Sequence, residues 1–137
     1  DMKRALKISQ SDSFVDQLPM GLDSPVSQGG SNFSGGQKQR LAIARALIKK
    51  VPVYVFDDSF SALDSKTDAA LRKALKENMN DAVKIIIAQK VSTIMNADQI
   101  LVLDEGKLVG IGNHETLMKN CSVYQAIANS QMNIKEV

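Results

Sequence analysis

The chain has 137 residues with 44% hydrophobic and 23% charged positions, which suits one domain or a large piece of one and excludes an intrinsically disordered chain. A net charge of +2 gives no footprint for nucleic acid, and the basic pairs Lys38/Arg40 and Lys49/Lys50 have no aromatic platform beside them. A single cysteine, Cys121, rules out an internal disulfide and fits a reducing compartment, and no run approaches the ~20 apolar residues of a membrane helix.

In chain order, residues 1–18 read as helix, broken near Ile8 to Ser11 and stopped by Pro19. The opening Asp1-Met2-Lys3-Arg4 reads as the middle of a helix, which predicts a piece of a longer protein. Residues 19–33 carry five glycines and prolines and read as loop. Ser34 to Lys50 is predicted helical, with Ser34 as N-cap, Gln37 completing a capping box, and Leu41, Ala44 and Leu47/Ile48 as the apolar face. Pro52 ends it. Val53 to Phe56 is a continuous apolar run, as expected of a strand buried on both faces of a parallel sheet. Ser65 to Asn80 is predicted helical, with Leu71, Leu75 and Met79 on one face. Val83 to Ala88 reads as a second buried strand, and a short helix follows near Ser92 to Asn96. Gln99 to Asp104 and Lys107 to Ile111 flank Glu105-Gly106 and predict a hairpin. His114 to Lys119 and Val123 to Gln131 read as two closing helices. Strands alternating with helices argue for an α/β fold.

Phe33 to Asp64 concentrates the chemistry. A serine cap followed by Gly35 and Gly36 opens a helix whose first N–H groups have no intrahelical partner. Such an end favours an anion, and glycine lets it approach the backbone. Asp57 closes an apolar strand, at the end where α/β folds bind ligands. Taken alone, Ser-Gly-Gly-Gln is also an ordinary capped helix, and Asp57 also a turn aspartate.

The order of motifs removes much of that ambiguity. Phe33-Ser34-Gly35-Gly36-Gln37 with Gln39-Arg40 and Ala44-Arg45-Ala46-Leu47 resembles the signature motif of ATP-binding cassette (ABC) proteins. Val53-Tyr54-Val55-Phe56-Asp57-Asp58 resembles their Walker B strand, and Ser61-Ala62-Leu63-Asp64 their D-loop. The resemblance runs from about Ala5 to Gln131. It implies a partial P-loop NTPase (RecA-like) parallel sheet with flanking helices, a C-terminal β-hairpin, and part of the ABC helical subdomain. Residues 1–50 would belong to that helical subdomain, and 51–137 to the second half of the ATPase core.

The resemblance also implies ATP and Mg²⁺ as cofactors. Phe33, Ser34, Gly35, Gly36, Gln37 and Asp64 would bind nucleotide, and Asp57 would hold the metal. Phe33 stands where leucine is usual. Asp58 stands where efficient members carry a glutamate base, and it is one methylene shorter. A base must reach within ~2.6–3.2 Å of its proton donor or act through water, and losing its help costs roughly 10²–10⁴-fold. Gln89 occupies the place of the switch histidine; it can donate a hydrogen bond but cannot relay a proton. The lone histidine, His114, reads as a helix-start residue and not a displaced switch. Ser24 to Gly30 stands where exporters carry the X-loop that meets their transmembrane coupling helices, with Gln28 in place of the usual acid.

No phosphate loop is present: Gly30 to Gly35 has the glycine spacing, but Gly36-Gln37 follows it in place of Lys-Ser/Thr. The resemblance therefore implies the C-terminal part of an exporter's nucleotide-binding domain. The multidrug or lipid type is suggested by Asp98 to Gly106 and by Tyr124. Expected partners are a second half-transporter cassette, in a heterodimer, and a transmembrane domain, at the cytoplasmic face of the membrane. Two alternatives stay open: a regulatory module that binds nucleotide without hydrolysis, and a soluble ABC ATPase.

Overall fold

The computed structural model describes residues 1–132, so the last five positions of the expected 51–137 core segment lie outside the described residues. The chain divides into two compact units, Asp1–Ile87 and the residues from Ala88 on. Among the described residues no helix is long and apolar enough to cross a membrane.

The first unit runs α1 (Met2–Ile8), α2 (Asp12–Val15), two 3₁₀ turns, α3 (Gly35–Leu47), β1 (Val53–Asp57), α4 (Ser65–Asn78) and β2 (Val83–Ile87). β1 and β2 pair in parallel, Val53 opposite Val83 and Asp57 opposite Ile87. A parallel pair needs a crossover, and α4 supplies it. Tyr54 and Phe56 alternate into the core and meet Leu71 and Leu75 of α4 and Ile43 and Leu47 of α3. The Tyr54 hydroxyl donates to Lys49 O at 2.7 Å and accepts from Val51 N–H at 3.3 Å, which fixes the passage from α3 into the strand. Arg4 of α1 donates to Leu47 O at 2.7 Å, at the carboxyl end of α3 where carbonyls lack intrahelical partners.

Three expectations need correction here. The strands are not buried on both faces: Val55 is 61% exposed, Val83 60% and Ile87 50%, because helices cover only the face that carries Tyr54 and Phe56. The buried stripe of α3 is Ile43, Ala44 and Leu47, while Ile48 is exposed. The helix ends at Leu47 and so stops short of Lys50.

The second unit contains α5 (Val91–Ile94), the antiparallel pair β3 (Ile100–Asp104) and β4 (Lys107–Gly112), α6 (His114–Asn120) and α7 (Ser122–Met132). Glu105 and Gly106 both have positive φ, 45° and 75°, the paired left-handed residues of a tight hairpin turn. Ile100 and Val102 pack against Leu117, Tyr124 and Ala128. Gly110 lets β4 lie against α6: a Cβ there would sit 2.8 Å from the Cys121 Sγ. His114 opens α6 as expected, and its Nδ1 lies 2.8 Å from the Tyr124 hydroxyl. Burial pushes the Tyr124 phenol above its ordinary pKa.

Two predictions follow from this architecture. Open apolar faces on β1, β2 and the hairpin (Leu101, Leu103, Leu108) should make the 137-residue chain self-associate. Light scattering checks this, and a monodisperse monomer counts against it. The second concerns Asp64, the N-cap of α4. Hydrogen bonds from the Thr67 hydroxyl first, then from backbone N–H groups, hold its carboxyl below the ordinary value of 3.8. A depressed folded value means the cap's contribution is fully present above the unfolded value and is lost as pH falls through the folded one. An NMR titration should place the Asp64 midpoint below 3.8 and show it rising in Thr67→Val; an unmoved midpoint would refute the hydroxyl's role.

Candidate functional site

Ser34 caps α3 through a complete capping box. Its hydroxyl accepts from Gln37 N–H at 3.2 Å, and its own N–H donates to Gln37 Oε1 at 2.9 Å. The side chains of Ser34 and Gln37 are thus turned on their own helix. The N–H groups of Gly35 and Gly36 sit in the first turn, where an α-helix has no internal acceptors. They carry the positive end of a 13-residue helix.

The second helix start lies beside it. Asp64 caps α4, with Oδ1 accepting from Lys66 N–H at 3.1 Å and Thr67 N–H at 2.9 Å, and Oδ2 from the Thr67 hydroxyl at 2.7 Å. An open cavity of about 440 Å³ is lined by Ser34, Gly35, Gly36, Arg40, Ala62, Leu63, Asp64 and Thr67. The first turn of α3 and the Ser61–Asp64 loop therefore share one wall. Glycine at residue 36 permits this approach, since a Cβ there would stand 3.0 Å from Ala62 O and the loop would have to give by a few tenths of an ångström.

Phe33 is 8% exposed and meets Phe14 edge-on, with ring centroids 6.2 Å apart. It supports the turn from below and does not line the cavity. Arg40 spans this packing: its guanidinium lies 4.7 Å from the Phe14 centroid and donates to Gln10 O.

Asp57 and Asp58 lie at the carboxyl end of β1, both exposed. Asp58 has φ +46°, the left-handed region that aspartate tolerates better than most residues. Its N–H donates to Ile87 O at 2.9 Å, one step beyond the ladder. Its carbonyl accepts from Gln39 Nε2 at 3.2 Å and from the Ser61 hydroxyl at 3.1 Å. Among the described residues no group of three or more His, Cys, Asp or Glu side chains stands together. Mg²⁺ is commonly held by one or two carboxylates, with water and phosphate completing its octahedron. Asp57 fits that role, because it is an exposed carboxylate at a strand end.

Gln89 belongs to the second unit, in a bend before α5. Its carbonyl accepts from Gln131 Nε2 at 2.7 Å, and Gln131 Oε1 accepts from Val91 N–H at 2.8 Å. The backbone at Gln89 is thereby pinned from α7, and its side chain is exposed. Asp57 and Asp58 belong to the first unit. Before the signature, Asn32 closes the loop at Ser24 to Gly30, accepting from Ser27 N–H and donating to Pro25 O, both at 3.1 Å. Met20, Leu22 and Val26 stand exposed on the same stretch.

The sequence reading missed Thr67, Gln131 and the reach of Gln39. The Asp-x-x-Thr spacing of a capped helix signals Thr67. Gln131 has no local signal, since its partners are about 40 residues away.

Comparison with known proteins agrees with this arrangement. Residues 6–61 match the sequence profile described as ABC transporter. The chain is 50% identical over 131 residues to an uncharacterised ABC transporter ATP-binding protein of Mycobacterium tuberculosis, covering 96% of this chain and 22% of that protein. It is 47% identical over 133 residues to a putative ABC transporter ATP-binding protein of Mycoplasma genitalium, covering 97% of this chain and 21% of that protein. An ATP-dependent lipid A-core flippase of Albidiferax ferrireducens is 42% identical over 131 residues, 96% of this chain and 22% of the flippase. A solved bacterial Atm1-family ABC exporter with ATP bound superposes with a TM-score of 0.91 at 37% identity, over 95% of this chain and 23% of that one. The chain spans about a fifth of the length of the curated relatives it matches. With its capped signature turn, its strand-end aspartates and these likenesses in sequence and fold, the chain belongs to the ABC transporter family and carries part of an ATP-binding domain.

Proposed function

We propose that this chain is part of the ATP-hydrolysing subunit of an ABC exporter and that its signature turn completes the ATP site of a partner cassette. One observation carries the reading: two helix N-termini, capped by Ser34 and Asp64, open onto one cavity walled by glycine backbone. Gly35 and Gly36 offer N–H groups and a positive dipole to a phosphate. Ser34 and Gln37 hold that turn in shape, Phe33 supports it, and Asp64 secures the neighbouring helix. Residues 1–50 would form part of the helical subdomain, and 51–137 part of the ATPase core.

Mg²⁺, held by Asp57, would supply charge neutralisation at the phosphates. The chain's own site is weakened in two places. Asp58 is shorter than glutamate by one methylene, and Gln89 cannot relay a proton. We therefore assign this chain the slow site of a heterodimer in which the partner's site turns over. The exposed Met20, Leu22 and Val26, beside the loop at Ser24 to Gly30, suit contact with a transmembrane domain at the cytoplasmic face. The same two departures favour a second reading, a regulatory module whose nucleotide stays bound without hydrolysis.

Restoring both side chains discriminates between these readings. In the full heterodimer, Asp58→Glu with Gln89→His should raise turnover at this site by about 10²-fold, the lower bound for general-base help. Unchanged site-specific hydrolysis sinks the slow-site assignment, and measurable hydrolysis in the unaltered site excludes the regulatory reading. The 137-residue chain by itself should be inactive and should give no heat on titration with Mg-ATP, because no lysine-bearing phosphate loop is present. Tight binding would overturn that.

A further inference from the structure

Gln39 spends its whole side-chain amide on the turn that follows β1. Nε2 donates to Asp58 O at 3.2 Å and to the Ser61 hydroxyl at 2.9 Å, while Oε1 accepts from Ala62 N–H at 2.9 Å. Ser61 closes the triangle by donating to the same Asp58 carbonyl at 3.1 Å. The opposite amide orientation would set Oε1 against a carbonyl oxygen and the NH₂ against an N–H, so the network admits only this one. One side chain of α3 thus joins the carbonyl of the candidate base to the backbone of the loop that ends at Asp64.

Its position on the helix matters as much as its bonds. Gln39 lies four residues beyond Gly35 and three beyond Gly36, spacings that share a helix face. The side of α3 on which Gly35 and Gly36 lie therefore carries, one turn later, the group that holds Asp58 and Ala62. Both partners stand 19 to 23 residues away along the chain. Gly36 allows the close contact that brings this turn within reach.

We infer that Gln39 is a positioning residue that couples the signature helix to the Asp58 turn. Seating a phosphate at Gly35 and Gly36 then fixes the backbone of Asp58 and of Ser61 to Asp64 through a single amide. This inference rests on the cassette reading above. Gln39 touches no substrate; it acts through the backbone it holds.

The test uses the full-length transporter that contains this chain, with Gln39→Leu and Gln39→Glu. Leucine removes all three bonds. Glutamate keeps an acceptor for Ala62 N–H but sets an oxygen against the Asp58 carbonyl. Hydrogen–deuterium exchange of the 58–64 segment is read with and without ATP, alongside steady-state ATPase kinetics. In the unaltered protein ATP should slow exchange in this segment, and in Gln39→Leu that slowing should vanish. The variant's kcat should fall about tenfold, the worth of one net hydrogen bond, while KM for ATP stays within about twofold. Gln39→Glu should lie between. ATP-dependent slowing and kcat that both survive in Gln39→Leu overturn the inference. If Gln39→Leu does not fold, the same two readouts on Gln39→Glu decide it. An unaltered transporter that hydrolyses no ATP refutes the cassette reading instead, and the exchange comparison still reports on Gln39.

Discussion

Everything at the candidate site depends on how closely the first turn of α3 approaches the loop before α4. At Gly36 the clearance to Ala62 O is that of a hydrogen atom, not of a methyl group. That contact sets the two helix starts side by side and opens one cavity between them. It also brings the second turn of α3 within hydrogen-bond reach of Asp58 and Ser61. A side chain there would press on Ala62 O and strain the approach on which the amide network rests. Local chemistry and tertiary packing are therefore one constraint at this position.

The two helix caps are built differently, and the difference bears on charge. Ser34 and Gln37 are neutral, so their capping box leaves the positive end of α3 uncompensated by charge. Asp64 brings its own negative charge and spends it on the first turn of α4 and on the Thr67 hydroxyl. One N-terminus is capped by neutral groups, and the other has its positive end answered by a carboxylate of its own helix. The carboxylates of Asp57 and Asp58 stand exposed at a strand end and form neither cap.

Much of this was legible in the sequence where the signal is local. The capping box at Ser34 and Gln37, the break after Ile8, the Leu71/Leu75/Met79 stripe and the Glu105-Gly106 turn all follow from spacing and turn chemistry. Burial was less legible. A continuous apolar run predicts a strand but cannot say how many layers cover it, so Val55 and Val83 proved open. The stripe of α3 shifted to Ile43 because α1 packs on that side through Ala5 and Ile8. Side chains that bind distant backbone, such as Gln39 and Gln131, have no periodic signature. The left-handed backbone at Asp58 was also invisible, because aspartate adopts it without glycine's warning.

The tight fit of β4 on α6 has a consequence for the thiol chemistry of this chain. Cys121 is its only cysteine, 6% exposed, with its sulfur against the bare Cα of Gly110. The missing Gly110 side chain is what leaves that sulfur its place between the hairpin and α6. A thiol so buried is expected to be alkylated in step with local opening, and its rate would then report how often the second unit opens.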